Sequence, residues 1–202
     1  ASRLQDTAIR LRAKTIILGE CGHGFNANRW EGPEWRGKPH EIPEISILDI
    51  LERMLAEKKI TVDPGKHTKA VTLHDPCNLG RLGGVVDPQR VVLRQAVSNL
   101  VEMNPNREKN FCCGGGGGQL SMTRYAERRI KAGQMKADQI AATGAKLIAH
   151  HRAGKSIPGV DRGVKAGDII KVGRTVELEC MDTPGHTMCH ICLRSHTEQP
   201  AL

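Results

Sequence analysis

Aromatic side chains are almost missing from this chain: Phe25, Trp30, Trp35, Phe111 and Tyr125 are the whole set in 202 residues. A protein that stacks single-stranded bases needs several aromatic platforms, so this scarcity argues against that class. No apolar run approaches the roughly 20 residues that cross a bilayer. No short apolar core behind a basic start marks an export signal. The glycine run at 114–118 lacks the Lys-Ser/Thr pair of a nucleotide phosphate loop, and it is not patterned as GxGxxG with an acidic partner.

What is present suits a globular protein. Hydrophobic residues make up 39% of the chain, enough for one sizeable domain or two small ones. The net charge of +8 is spread along the chain, with one modest cluster at Arg124, Arg128, Arg129 and Lys131. On a helix that cluster reads as a solvated face, so no nucleic-acid partner is expected. Seven cysteines, an odd number with one adjacent pair, do not make a secreted disulfide framework. They point to a reducing, cytoplasmic setting in which clustered thiols serve metal or redox chemistry. The chain starts at Ala1 without Met, and both ends read as cut, so a fragment or a fusion is expected.

Periodicity suggests an α/β layout. Residues 4–13 read as the end of a helix and 15–18 as a short buried strand, followed by a glycine-rich turn at 19–24 and a loop over 25–43. Ile45 to Lys58 has helical spacing, and 70–73 reads as a second strand running into His74-Asp75-Pro76-Cys77. Pro88 opens a helix reaching Met103, Gln119 to Ala142 reads as a long helix weakened by Gly133, and 145–149 is a further strand. The segments 13–17 and 145–149 look like one structural unit used twice. The expected architecture is a short parallel sheet with flanking helices over 1–153, followed by a small β-rich segment over 154–202 with hairpin strands at 169–172 and 175–180.

The chemistry concentrates in cysteine and glycine. Cys77 follows a strand end and a proline, whereas Cys112 and Cys113 are adjacent and run straight into the glycine run that begins with Gly114 and Gly115. Adjacent cysteines let one turn present two sulfurs, and glycines let backbone N–H groups approach an anionic, sulfur-rich object. A helix starting near Gln119 would add its positive end. Iron–sulfur clusters need several thiolates delivered in this way.

The stretches HDPCNLGRLGG (74–84) and NFCCGGGGG (110–118) resemble the cysteine-rich CCG domain of heterodisulfide-reductase-type iron–sulfur subunits, and GECGH (19–23) resembles the end of a preceding repeat. The likeness covers about residues 1–150. It implies an α/β unit holding a [4Fe-4S] cluster, with Cys77, Cys112 and Cys113 as ligands and Cys21 as a further one. It also implies thiol or disulfide substrates, electron-transfer partner subunits, and a cytoplasmic place peripheral to a membrane-associated complex. The family closes its motif with Cys-x-x-Cys after the last strand, whereas this chain has His150-His151 there. The candidates to complete the site are His150 and His151, or Cys189 and Cys192 from the later Cys-x-x-Cys.

The stretch 160–193 is similar to an interior part of the metallo-β-lactamase fold, especially hydroxyacylglutathione hydrolases. That resemblance makes His186, in Thr-Pro-Gly-His-Thr, a zinc or iron ligand and leaves Cys189 and Cys192 as strand residues. The main metal motif of those enzymes, H-x-H-x-D-H, does not occur here, so a binuclear hydrolytic site is not expected. A structural zinc on Cys189, Cys192, His186 and His196 is a third arrangement. The leading expectation is an iron–sulfur oxidoreductase module. The alternatives are a metal-dependent thioester hydrolase fragment and a truncated fusion without a working site.

Overall fold

A computed structural model describes residues 1–19, 21–115, 122–155, 157, 159–172, 176–184 and 188–195. The chain divides into two compact units. The first is Ala1–Val62, His74–Ala96 and Pro105–Asn110, and the second is Asp63–Leu73, Val97–Asn104 and Phe111–Leu202. The architecture is α/β, with short parallel strand pairs flanked by helices and a small antiparallel sheet near the C-terminus.

In the first unit, helix α1 (Ser2–Arg10) leads into strand β1 (Ile16–Leu18), which pairs in parallel with β2 (Glu44–Ser46). Ala8, Ile16, Leu18, Phe25, Leu79 and Val85 form the core. Gln5 faces inward on α1 as a fully buried amide, which its hydrogen bonds allow. Its Nε2 donates to Ile42 O and to Glu44 Oε1, and its Oε1 accepts from the Ile42 N–H. The helix read over 45–58 forms as α4 (Ile47–Ala56), started by a capping box of Ser46 and Asp49.

The turn and loop expected over 19–43 are instead two helices, α2 (Gly22–Arg29) and α3 (Glu31–Arg36). Cys21 acts as the N-cap of α2, Pro33 sits in the first turn of α3 where its missing N–H does no harm, and Gly37 ends α3 at φ 64°. Burial of Phe25 in the core outweighs the poor helix propensity of Gly22 and Gly24.

Cys77–Leu82 is a π-helical turn, followed by helix α5 (Pro88–Ala96). That helix stops well short of the expected Met103. Residues 98–101 are drawn into extended pairing in the second unit, where Val71 N–H donates to Asn99 O and Val101 N–H to Val71 O. The strand expected at 70–73 is reduced to a single parallel bridge between Val71 and Leu100.

The regular part of the long helix in the second unit is α6 (Ala126–Ala142), ended as expected at Thr143-Gly144. Its expected start at Gln119 lies outside the described residues. Strand β3 (Ile148–His150) follows and pairs in parallel with β4 (Arg162–Val164), so the helix–strand unit seen before β1 recurs before β3. The antiparallel sheet runs β5 (Ile169–Val172), β6 (Val176–Asp182), β7 (Ile191–Ser195) around Val164, Ile170 and Cys180. Burial, aided by Asp168, raises the Cys180 thiol above its usual range, as befits an inert core cysteine. Among the described residues no helix is long and apolar enough to cross a membrane.

Candidate functional site

Two of the predicted cysteine positions lie in the first unit and are tied together locally. Cys21 caps α2, its Sγ accepting the Gly24 N–H at 3.5 Å. The next residue, Gly22, lies against the π-helical turn: a Cβ there would stand 2.7 Å from Leu79 N and 2.9 Å from Asn78 Cβ. His23 Nε2 and Asn78 Nδ2 are 2.8 Å apart. The residues that follow Cys21 and Cys77 are therefore in direct contact, with Cys21 exposed and Cys77 half-buried.

The turn that carries Cys77 rests on a buried ion pair. Arg90 donates from Nη1 to Asp75 Oδ1 at 2.7 Å and from Nη2 to Oδ2 at 2.8 Å, with both side chains almost fully buried. Burial pushes the Asp75 carboxyl up. The Arg90 hydrogen bonds and the Arg107 N–H that donates to Oδ2 outweigh it, so the group sits below its ordinary value. A depressed carboxylate stabilises the fold above its unfolded value of about 4 and loses that contribution as pH falls through the lower folded value. In acid titration followed by circular dichroism, the wild type is expected to lose stability below about pH 4 more steeply than Asp75→Asn. Equal acid limbs would refute this linkage.

In the second unit, the Cys112-Cys113 turn is docked on the side of α6. Cys112 Sγ accepts the Gly114 N–H at 3.3 Å and Cys113 Sγ accepts the Gly115 N–H at 3.4 Å. Both thiols are exposed. Gly114 has φ 70°, and a Cβ on it would lie 2.4 Å from Arg129 O. Arg129 Nη1 in turn donates to Gly114 O at 3.0 Å. Gly133 is the matching recess, since a Cβ there would stand 2.7 Å from Cys113 O. The glycine that weakens α6 by propensity is thus the one that lets the cysteine turn approach. On an exposed helix Gly→Ala stabilises by up to about 1 kcal/mol. Here Gly133→Ala is expected to destabilise by about 1–3 kcal/mol in urea unfolding, and a stabilised variant would contradict the docking. Gly116, Gly117 and Gly118 lie outside the described residues.

The remaining candidates separate. His150 is buried, not solvent-facing: its Nδ1 accepts the Arg152 N–H at 3.2 Å, and its Nε2 faces Asp182 Oδ1 at 3.5 Å. Both ring nitrogens are thereby engaged, while His151 is exposed beside it with ring centroids 4.4 Å apart. Cys189 lies in the turn before β7, and Cys192, in β7, accepts from Thr183 Oγ1 at 3.4 Å. His186 and His196 lie outside the described residues. Among the described residues no three His, Cys, Asp or Glu side chains stand close enough to hold a metal ion. Sequence reasoning missed Gly133 and the Asp75–Arg90 pair. The run His74-Asp75-Pro76-Cys77 was a signal for Asp75, but nothing local marked Arg90.

Residues 71–154 match the family described as the CCG cysteine-rich domain. This segment is a CCG domain. The CCG domain of this chain has relatives among iron–sulfur subunits of multi-subunit oxidoreductases. One is the Hdr-like menaquinol oxidoreductase iron-sulfur subunit 2 of Archaeoglobus fulgidus, 31% identical over 154 residues, covering 59% of this chain and 28% of that protein. Another is a dihydromethanophenazine:CoB–CoM heterodisulfide reductase subunit of Methanosarcina acetivorans, 36% identical over 131 residues, covering 61% and 32%. A short segment of the chain matches the hydroxyacylglutathione hydrolase of a Polaromonas strain, 89% identical over 63 residues, 31% of this chain and 24% of that enzyme. The chain thus spans between a quarter and a third of the length of these relatives.

Proposed function

We propose that this chain is an iron–sulfur electron-transfer module whose CCG domain binds a [4Fe-4S] cluster through Cys77, Cys112 and Cys113, with Cys21 as a further ligand. The observation that carries the reading is the Cys112-Cys113 turn. Two adjacent exposed thiols each accept a backbone N–H from a glycine, on a turn pressed to α6 where side chains would collide. The donor set is soft sulfur with N–H partners, which fits an anionic iron–sulfur group and not a hard cation. The cluster would supply one-electron chemistry next to sulfur. The chain's own residues present the thiolates, direct N–H dipoles at them and fix their turns. Gly114 and Gly115 direct their N–H groups at the two sulfurs, and the Asp75–Arg90 pair holds the approach to Cys77.

The substrate class proposed is a thiol or disulfide, with electrons coming from a partner subunit of an electron-transfer complex, in a cytoplasmic place peripheral to the membrane. The relatives' names, which include a heterodisulfide reductase subunit, support the disulfide substrate and the partner subunit. The test is anaerobic oxidation of the reconstituted protein in the presence of a small thiol. A paramagnetic signal that appears only with the thiol is expected, and a signal indifferent to thiol would remove the substrate assignment.

The hydrolase-like segment supports a second reading, thioester hydrolysis with zinc or iron at His186, through its 89% identity. The absence of H-x-H-x-D-H from the chain leaves that segment without the rest of a binuclear donor set. Zinc binding with turnover of a glutathione thioester would favour it.

A further inference from the structure

We propose that Arg81 and Asn110 are positioning residues that staple the run into the Cys112-Cys113 pair onto the turn of Cys77. That role presupposes the ligand set proposed above. Arg81 lies inside the π-helical turn that begins at Cys77. Its guanidinium forks across the 107–110 segment, Nε donating to Glu108 O at 2.8 Å and Nη2 to Asn110 O at 2.6 Å. From the other side of Cys77, Asp75 grips the same segment. Its Oδ2 accepts the Arg107 N–H at 2.7 Å, and its backbone carbonyl accepts from Asn110 Nδ2 at 2.5 Å. Asn110 is nearly fully buried, so both its amide and its carbonyl are committed to the residues flanking Cys77. Two residues after Asn110 along the chain stands Cys112.

The arrangement has a mechanical reading. A cluster needs thiolates from separated loops at fixed spacing, and loops keep such spacing only when their own backbone is tied down. Here the tie uses a planar fork that bonds two carbonyls at once, a geometry open to arginine and closed to lysine. Arg107 itself takes φ 54°, a left-handed conformation that a non-glycine residue holds only when neighbours impose it. The Asp75 bond to its N–H and the Arg81 bonds to the residues that follow supply that imposition.

The variants are Arg81→Met and Arg81→Lys, with Asn110→Ala as a second removal. Arg81 is exposed, so its variants keep the core intact. In the metal-free protein, amide hydrogen exchange across 107–113 is expected to run at least about tenfold faster in all three. In the reconstituted protein, iron loss to a chelator is expected to be about tenfold faster as well. Exchange and iron loss unchanged in Arg81→Met would overturn the proposal. Arg81→Lys matching the wild type in both would overturn the fork and assign the effect to charge. Failure of the wild type itself to take iron would strike the ligand set, and the exchange rates would then decide the staple on their own.

Discussion

Replacing Cys112 or Cys113 by serine is expected to reduce the iron retained after anaerobic reconstitution to about a tenth of wild type or less, with loss of the visible absorption band. Serine keeps the size of the side chain and loses the soft, readily ionised donor that iron–sulfur clusters require. The same substitution at Cys189 or Cys192 is expected to leave iron content unchanged. Cys192 is held in β7 by a hydrogen bond from Thr183, and Cys189 lies in the turn before that strand. Cys77→Ser belongs with the first group. The control is Cys180→Ser, which removes a thiol from the core of the small sheet and is expected to lower stability without selective loss of iron. Equal iron loss for Cys112→Ser and Cys192→Ser would contradict the assignment.

Arg90→Met is expected to destabilise the fold by about 3–5 kcal/mol in urea unfolding, because it leaves the Asp75 carboxylate buried without its partner. Asp75 cannot turn to water, since its side chain is 2% exposed and its Oδ2 is held by the Arg107 N–H. The double variant Arg90→Met with Asp75→Leu removes the stranded charge and is expected to recover part of the loss, although the Arg107 N–H then lacks its acceptor. A single Arg90→Met as stable as wild type would mean that the pair does not hold the Cys77 approach. Because Arg90 is 15 positions from Asp75, the variant also reports whether α5 is needed to order the cysteine turn.

Elements defined by apolar spacing were legible in the sequence. β1, α4, the body of α6, β3 and the hairpin of β5 with β6 lie within a few residues of where periodicity put them, and β1, α4 and the hairpin place apolar residues in or against the core of their own unit. The helices α2 and α3 were not legible. Their region is rich in glycine and proline, and what makes it helical is a cysteine cap, a buried Phe25 and the contact of Gly22 with Leu79, none of which has a local signature. The cysteines and glycines of the site stood out by type and spacing. The contacts that shape the site did not, because they join residues far apart in sequence. Gly133 read as a weak point of a helix and is the recess for Cys113. His150 read as a candidate to complete the cluster site and is buried against Asp182.

The most direct measurement is reconstitution of the wild-type chain with iron and sulfide under anaerobic conditions, followed by iron and sulfide analysis, visible absorption and electron paramagnetic resonance. About four irons and four sulfides per chain, with a cluster spectrum that survives desalting, are expected. A folded protein that stays colourless and retains no iron would contradict the central claim.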